Sequence, residues 1–390
     1  MQITDDIKYI GVDDRDITLF EAQFAVERGM AYNSYLVLDE KLTVFDTVER
    51  HFGDEWFANI RRESGGRDID YLVVQHMEPD HSTFVATFAQ AYPKATIVAS
   101  AQAFAMMKNF FGTDYVDRRI VVKDGDTLTT GAHTFAFVSA PMVHWPEVIV
   151  TYDTKDKVLF SADGFGKFGA NGIEDPEGWD CEARRYYFGI VGKFGAQVQA
   201  LLKKAAALDI EKICPLHGPV LATREEVAHA VAQYSTWSSY GVETPGVAIA
   251  YTSVYGNTAL AASKLKGLLV AAGCPKVASA DLIRDDIHET VEDAFRYGTL
   301  VLATTTYNGG VFPRMREFVN HLVSRNYCNR RVAIVENGSW APAAARTIKD
   351  MFASCKGIEF VGAPVTVKST VTPETEVALA KLADEIMKNV

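Results

Sequence analysis

The chain has no long hydrophobic run. Its 390 residues are 48% hydrophobic and 23% charged, an ordinary balance for a globular protein. No apolar stretch approaches the roughly 20 residues that span a bilayer. The opening MQITDDIKYIGVDDRD has no basic segment followed by an apolar one, so no secretory signal is read there and the expected location is the cytoplasm. Cysteine is scarce: Cys181, Cys214, Cys274, Cys328 and Cys355 are scattered, odd in number and form no C-x-x-C pair. That argues against a disulfide framework, an iron–sulfur cluster and a built-in rubredoxin-type iron site, and leaves buried thiols as the expected role of most of them. Positive charge is also short, with 39 Lys+Arg against 50 Asp+Glu and a net charge of −11. The shortfall is uneven. Residues 246–390 hold 16 basic and 14 acidic residues, which leaves 39−16=23 basic and 50−14=36 acidic residues before them. An acidic first part makes nucleic acid an unsuitable partner.

At this length two domains are expected, and the two parts differ in rhythm. Up to about Tyr240, short β-like runs at 34–38, 42–45, 71–74, 134–138 and 148–152 are filled by β-branched and aromatic residues and punctuated by Gly, Asp and Asn. Helical patterns at 82–91 and 194–207 lie between them. This reads as a mixed α/β sandwich with sheets inside and helices outside. Glu243, Thr244 and Pro245 read as a short hinge, placing the domains at 1–245 and 246–390. Beyond it, strands at 247–251, 300–303 and 331–335 alternate with helices at 258–272, 315–323 and 343–352. Such alternation implies a doubly wound parallel sheet, with ligands bound past the carboxyl ends of its strands.

The densest chemistry lies in His76-Met77-Glu78-Pro79-Asp80-His81, where six residues hold two imidazoles and two carboxylates. The run follows the apolar segment 71–74. Pro79 is expected to forbid a regular helix through the motif and to favour a rigid loop. Imidazole suits zinc, copper and iron, and carboxylates add hardness and can bridge two metals. Three more ligand-type residues follow strand-like or turn-like segments: His144 in APMVHWP, Asp163 in LFSADG and His217 in CPLHGP. Each alone has a bland explanation as a core histidine or an Asp-Gly turn. With the six-residue motif they form a set. His51, His133, His229, His288 and His321 lack ligand-like neighbours in sequence and receive no role.

In the second part, YTSVYGNT at 251–258 joins the first strand to a helix. Its hydroxyls, backbone N–H groups and helix N-terminus suit a single phosphate; it is not the dinucleotide G-x-G-x-x-G. The bland reading is a capped strand–turn–helix connection. Two further loops, TTTYNGG at 304–310 and ENGSWA at 336–341, follow strands at equivalent places.

His76-x-Glu78-x-Asp80-His81 followed by His144, Asp163 and His217 resembles the metal pattern of the metallo-β-lactamase fold. Glu78, where a hydrolytic zinc site usually has a third histidine, makes it similar to the flavodiiron proteins. The three later loops resemble the FMN loops of flavodoxin. The resemblance covers the whole chain and implies an N-terminal metallo-β-lactamase-like αββα sandwich plus a C-terminal flavodoxin-like doubly wound sheet. It implies two irons, with His76, Glu78 and His144 on one, Asp80, His81 and His217 on the other, and Asp163 bridging. FMN would lie against Ser253, Val254, Tyr255, Gly256, Asn257 and Thr258, against Thr305, Thr306, Tyr307, Asn308 and Gly309, and against Gly338, Ser339 and Trp340. The implied function is reduction of O2 to water, NO to N2O, or both, with electrons passed through FMN. A head-to-tail homodimer or dimer of dimers would bring FMN of one chain to the irons of the other, with Trp340 near the junction. The donor would be a separate rubredoxin or another reductase, docked by Arg314, Arg316, Arg325, Arg330 and Arg331. The alternatives are a metallo-β-lactamase-fold zinc hydrolase with a flavodoxin-like accessory domain, and a non-catalytic flavodoxin-type electron carrier.

Overall fold

The computed structural model describes residues 2–388 and 390. It folds as two compact units, Met1–Ser235 and Thr236–Val390.

In the first unit two sheets lie face to face. One has six strands in the order Ile7–Tyr9, Tyr35–Val37, Thr43–Phe45, Tyr71–Val73, Thr96–Ser100 and Arg119–Val122. The other has five, in chain order: Thr127–Thr129, Thr134–Ser139, Ile149–Asp153, Val158–Phe160 and Lys212–Cys214. Side chains alternate across a strand, and here both faces are buried. Tyr35, Val37, Phe45, Tyr71 and Val73 meet Phe135, Phe137, Ile149 and Phe160 between the sheets. Their neighbours Leu36, Val44 and Leu72 pack outward among Trp56, Ile60, Phe88 and Met107, which include side chains of the helices Gly53–Glu63, Val85–Ala91 and Ala101–Phe111. Phe45 stacks on Phe160 with ring centroids 4.1 Å apart. Continuous apolar runs in the sequence therefore become strands covered on both faces.

Strand direction places the site. Val158–Phe160 and Lys212–Cys214 are parallel. Thr134–Ser139 is antiparallel to Ile149–Asp153, which is antiparallel to Val158–Phe160. All three therefore end at one edge of their sheet, and His144, Asp163 and His217 lie in the connections that follow.

The second unit has the order Val277–Asp281, Thr244–Tyr251, Tyr297–Tyr307, Arg330–Asn337, Ile358–Phe360, with every one of those pairings parallel. This is the doubly wound order 2-1-3-4-5, whose switch point lies beyond the first and third strands in sequence. Val247, Ile249, Val301 and Val335 form its core with Leu265, Leu269, Leu379 and Leu382 of the helices.

Three expectations change. Thr244 and Pro245 do not form a hinge but open the strand Thr244–Tyr251. Pro79 does not keep its motif out of helix; it is the first residue of the turn Pro79–Ser82, where its missing N–H has no helical partner to lose. Only Cys214 and Cys328 of the five thiols are buried; the others are half-exposed.

Candidate metal centre and flavin loops

The strand Tyr71–Val73 delivers His76 and Glu78 on a loop, and the helical turn that follows delivers Asp80 and His81. His144, Asp163 and His217 close around them. The seven side chains gather in two groups, His76, Glu78, His144 and Asp163, and Asp80, His81 and His217. None of the seven is more than 16% exposed.

Asp163 faces both groups with different atoms. Its Oδ2 lies 2.9 Å from His144 Nε2 and 3.4 Å from His76 Nε2. Its Oδ1 lies 3.3 Å from His81 Nε2 and 3.9 Å from His217 Nε2. Glu78 Oε2 sits 3.2 Å from His76 Nε2 and 3.0 Å from His144 Nε2. Asp80 Oδ2 plays the same part in the other group, 3.4 Å from His81 Nε2 and 3.3 Å from His217 Nε2.

The arrangement fits cations. His81 Nε2 and His217 Nε2 point at each other across 2.9 Å, and two imidazole nitrogens meet so closely only around a shared proton or a metal. Both oxygens of Asp80, Oδ1 of Asp163 and Nδ1 of His81 are buried without a hydrogen-bond partner, although buried polar atoms are ordinarily paired. The protonation preferences agree. Burial alone would favour neutral rings, yet Asp163 raises His76 well above its ordinary value, and Asp163 with Glu78 pushes His144 up to about 9. Burial would also raise Asp163, but His76 and His144 hold it well below the usual carboxylate range. Without a metal, the cage draws protons to where cations would sit.

Hydrogen bonds fix the outer sides of two rings. His76 Nδ1 is 2.8 Å from Glu147 Oε1, and His217 Nδ1 is 2.7 Å from the carbonyl oxygen of Ala31. Asp46 accepts from the backbone N–H of Gln75 and His76. Phe20, Tyr32 and Tyr186 wall His217, with ring centroids 5.3, 5.7 and 5.6 Å away.

A cavity of about 320 Å³ opens beside the cage, lined by residues that include Phe20, Glu21, Tyr32, Arg50, Glu78 and Asp80. Glu21 stands at the turn between the short strands Leu19–Phe20 and Phe24–Ala25. Burial, and then the charge of Glu78, push its carboxyl up to about 7. Nothing in the sequence pattern singles out Glu21 or Glu147.

In the second unit a cavity of about 560 Å³ falls within the range of small-molecule sites, roughly 300–1,000 Å³. Every residue expected to hold the flavin lines it except Gly256, joined by Asn337, Ala341 and Ser369. Gly256 stands just behind, capping the helix Asn257–Ala271 at φ 89°, with its N–H donated to Ser253 Oγ at 3.1 Å. Hydroxyls tie the loops together. Thr258 Oγ1 meets Thr305 Oγ1 at 3.1 Å, and Thr306 Oγ1 accepts from the N–H groups of Ala343 and Ala344. The rim is aromatic and open: Tyr255 is 92% exposed and Trp340 83%.

The expected arginine patch breaks up. Arg330 is 2% exposed and donates to the carbonyls of Tyr240 and Gly241. Arg331 donates to those of Glu385 and Ile386, and Arg314 to that of Leu282 and to Glu317. Arg325 donates to His321, whereas the exposed Arg316 lines a surface groove beside Tyr307 and Asn308. Among the histidines given no role, His133 does have carboxylate neighbours: its Nδ1 lies 3.0 Å from Asp153 Oδ2 and its Nε2 3.3 Å from Asp6 Oδ2.

Residues 30–218 match the ODP family beta lactamase model. The nitric oxide reductase of Moorella thermoacetica is 27% identical over 371 residues, 93% of this chain and 91% of that one. The solved rubredoxin oxygen:oxidoreductase of Desulfovibrio gigas superposes with a TM-score of 0.93 at 26% identity, over 100% of this chain and 98% of that one. The flavodiiron protein of Giardia intestinalis superposes at 0.89 and 25% identity, over 98% and 96%. The likeness to these proteins runs the length of the chain, through the sandwich that carries the cage and the doubly wound sheet that follows it, and the chain is similar to the flavodiiron proteins.

Proposed function

We propose that this protein is an oxidoreductase that reduces O2 to water, NO to N2O, or both, at a non-haem di-iron centre supplied with electrons through FMN. The observation that carries the reading is Asp163, whose two oxygens face the two halves of the cage separately. In this reading His76, Glu78 and His144 hold one iron, Asp80, His81 and His217 the other, and Asp163 bridges them. The first unit carries that centre and the second carries FMN, held by loops 253–258, 305–309 and 338–340. Bound iron and FMN supply the electron storage and the open coordination positions that gas reduction needs.

The chain's own residues set the conditions. Glu78 and Asp80 each serve two imidazoles, so the two halves have matched ligand types. Phe20, Tyr32 and Tyr186 keep water from the side of His217. The cavity of about 320 Å³ beside Glu78 and Asp80 gives a small gas a way in. Loop hydroxyls and the start of the helix Asn257–Ala271 suit the phosphate of FMN, and Tyr307 and Trp340 offer faces for its ring.

A head-to-tail homodimer, or a dimer of such dimers, would bring the flavin of one chain to the irons of the other, with the exposed Trp340 near that junction. The electron donor would be a separate rubredoxin or another reductase; the Desulfovibrio gigas relative is named for the former. Among the described residues no helix is long and apolar enough to cross a membrane, and we place the protein in the cytoplasm. The zinc-hydrolase alternative has less support, because the likeness runs through the flavin-type domain as well.

The test is metal and flavin content per chain, followed by anaerobic reduction and addition of O2 or NO. An iron pair, one FMN and rapid reoxidation are expected. Zinc with little flavin would overturn the reading in favour of a hydrolase.

A further inference from the structure

We propose that Glu147 is a positioning residue for the metal cage: it fixes the ring of His76 and holds a carboxylate in direct hydrogen-bond contact behind the Glu78 half. This rests on the metal-centre reading above.

The backbone brings Glu147 there. Ile149 donates its N–H to the carbonyl oxygen of Gln75 at 3.1 Å, which sets the start of the strand Ile149–Asp153 against the root of the His76 loop. Ser100 Oγ donates to the carbonyl oxygen of Glu147 at 2.8 Å and anchors the residue from a third strand. The Glu147 side chain is then fully enclosed. Its Oε1 receives the backbone N–H of Met77 at 2.8 Å and faces His76 Nδ1 at 2.8 Å. Met77 and His76 are adjacent, so one oxygen grips both backbone and ring and sets the direction of His76 Nε2 toward the cage.

Glu147 Oε2 has no hydrogen-bond partner. A buried carboxylate left with one bare oxygen is unfavourable unless a cation lies near. A metal held by His76 Nε2 would supply that cation. The resulting chain of carboxylate, imidazole and metal fixes the ring's tautomer and raises its basicity as a ligand.

The halves are otherwise matched, each with two imidazoles, one carboxylate and a share of Asp163. Their outer bonds differ. Behind His217 stands the neutral carbonyl of Ala31, and His81 Nδ1 has no partner. Asp46, a second buried carboxylate, lies under the same loop; it bonds backbone N–H groups and the Gln75 amide, and it acts on His81 through space rather than through a hydrogen bond. Glu147 is therefore the carboxylate that bonds a ligand ring from behind, and it does so in the Glu78 half.

The experiment compares the metal-loaded protein with its Glu147→Gln variant. Glutamine keeps an acceptor oxygen for both N–H groups and removes the charge. Iron retained during graded exposure to a chelator, and the midpoint potential of the iron centre, are the readouts; flavin content monitors the second domain. We expect release of iron from the Glu78 half to become about 10–100-fold easier, and the potential to rise because a negative charge favouring ferric iron is gone. Unchanged retention and potential would overturn the proposal. Glu147→Asp keeps the charge but withdraws the oxygen, so iron should loosen while the potential stays near wild type. If Glu147→Gln does not fold, wild-type iron retention in Glu147→Asp overturns the proposal by itself. A wild-type protein without an iron pair would instead defeat the reading on which this rests.

Discussion

The two candidate sites are built by opposite means. The metal cage is made of side chains that converge from four separate segments, all but closed to solvent. The cavity of the second unit is made of three loops on one sheet edge, held by short hydroxyl bonds and rimmed by exposed aromatics. A buried cluster of carboxylates and imidazoles is stable only when its charges are matched in place, so the cage depends on the core between its sheets to hold donors within ångströms. A loop site needs no such convergence. Backbone N–H groups at the end of a parallel sheet already point outward, and side chains only close the edges. Damage to the cage should therefore be steep and local, and damage to the flavin loops graded.

The largest effect is expected at Asp163. Asp163→Ala removes the one carboxylate that reaches both groups. The paired metals should be lost, with gas reduction lowered on the order of 10²-fold or more, while flavin content stays at the wild-type level. Iron analysis beside flavin absorbance checks both halves of that statement. Retention of two magnetically coupled irons would break the contrast, because the cage would not then depend on a bridging side chain.

How far the sequence revealed each site follows from the same contrast. The seven cage residues could be singled out because His, Asp and Glu at strand ends are conspicuous and four of them lie within six positions. The three loops of the second unit were legible through the rhythm of strand, loop and helix, and they meet around one cavity. Residues one step away from the ligands were not legible. Glu147 and His76 are 71 positions apart, and no local pattern links them. Glu21 sits at the tip of a hairpin whose strands have two residues each, too short for any periodicity. The arginine patch failed for a related reason. Charge is visible in a sequence, but whether a guanidinium reaches solvent or a carbonyl depends on the chain above it, and Arg330 is spent on the carbonyls of Tyr240 and Gly241. Pro79 misled because its effect depends on position: inside a helix it breaks the ladder, whereas at the first residue it is well suited.

Graded loss should appear in the second domain. Thr306→Val removes the hydroxyl that accepts the N–H groups of Ala343 and Ala344 at the start of the helix Ala344–Met351. Losing such a cap costs about 0.5–2 kcal/mol. We expect urea unfolding of the second domain to shift by that amount and flavin to bind more weakly, with iron content untouched. A smaller change is expected from Trp340→Ala. At 83% exposure the indole contributes little to the fold, so the melting temperature of the flavin-free protein should not move. Loss of a ring face should weaken FMN by about 0.5–1.5 kcal/mol, read by fluorescence titration. A variant that lost iron instead would blur the separation of the two sites.

The smallest effect tests whether the first domain holds buried charge away from the cage by the same rule. His133 is buried between Asp153 and Asp6. Burial alone would lower its affinity for a proton, but Asp153 and then Asp6 outweigh it and raise the folded value above 6.5. A raised folded value means the folded chain binds this proton more tightly than the unfolded chain does. The stabilisation is therefore complete below about pH 6.5 and disappears as pH climbs through the raised folded value. Because the Asp6 side chain is 36% exposed, solvent screening should keep the contribution below about 1 kcal/mol. Urea midpoints of wild type and His133→Asn, measured from pH 6 to 9 on metal-loaded protein, isolate it, because the cage histidines are common to both and occupied. The gap between the two curves should be widest at pH 6 and narrow toward pH 9. A gap that stays constant would mean that His133 acts through packing alone, and that matched charge governs this domain only where metals bind.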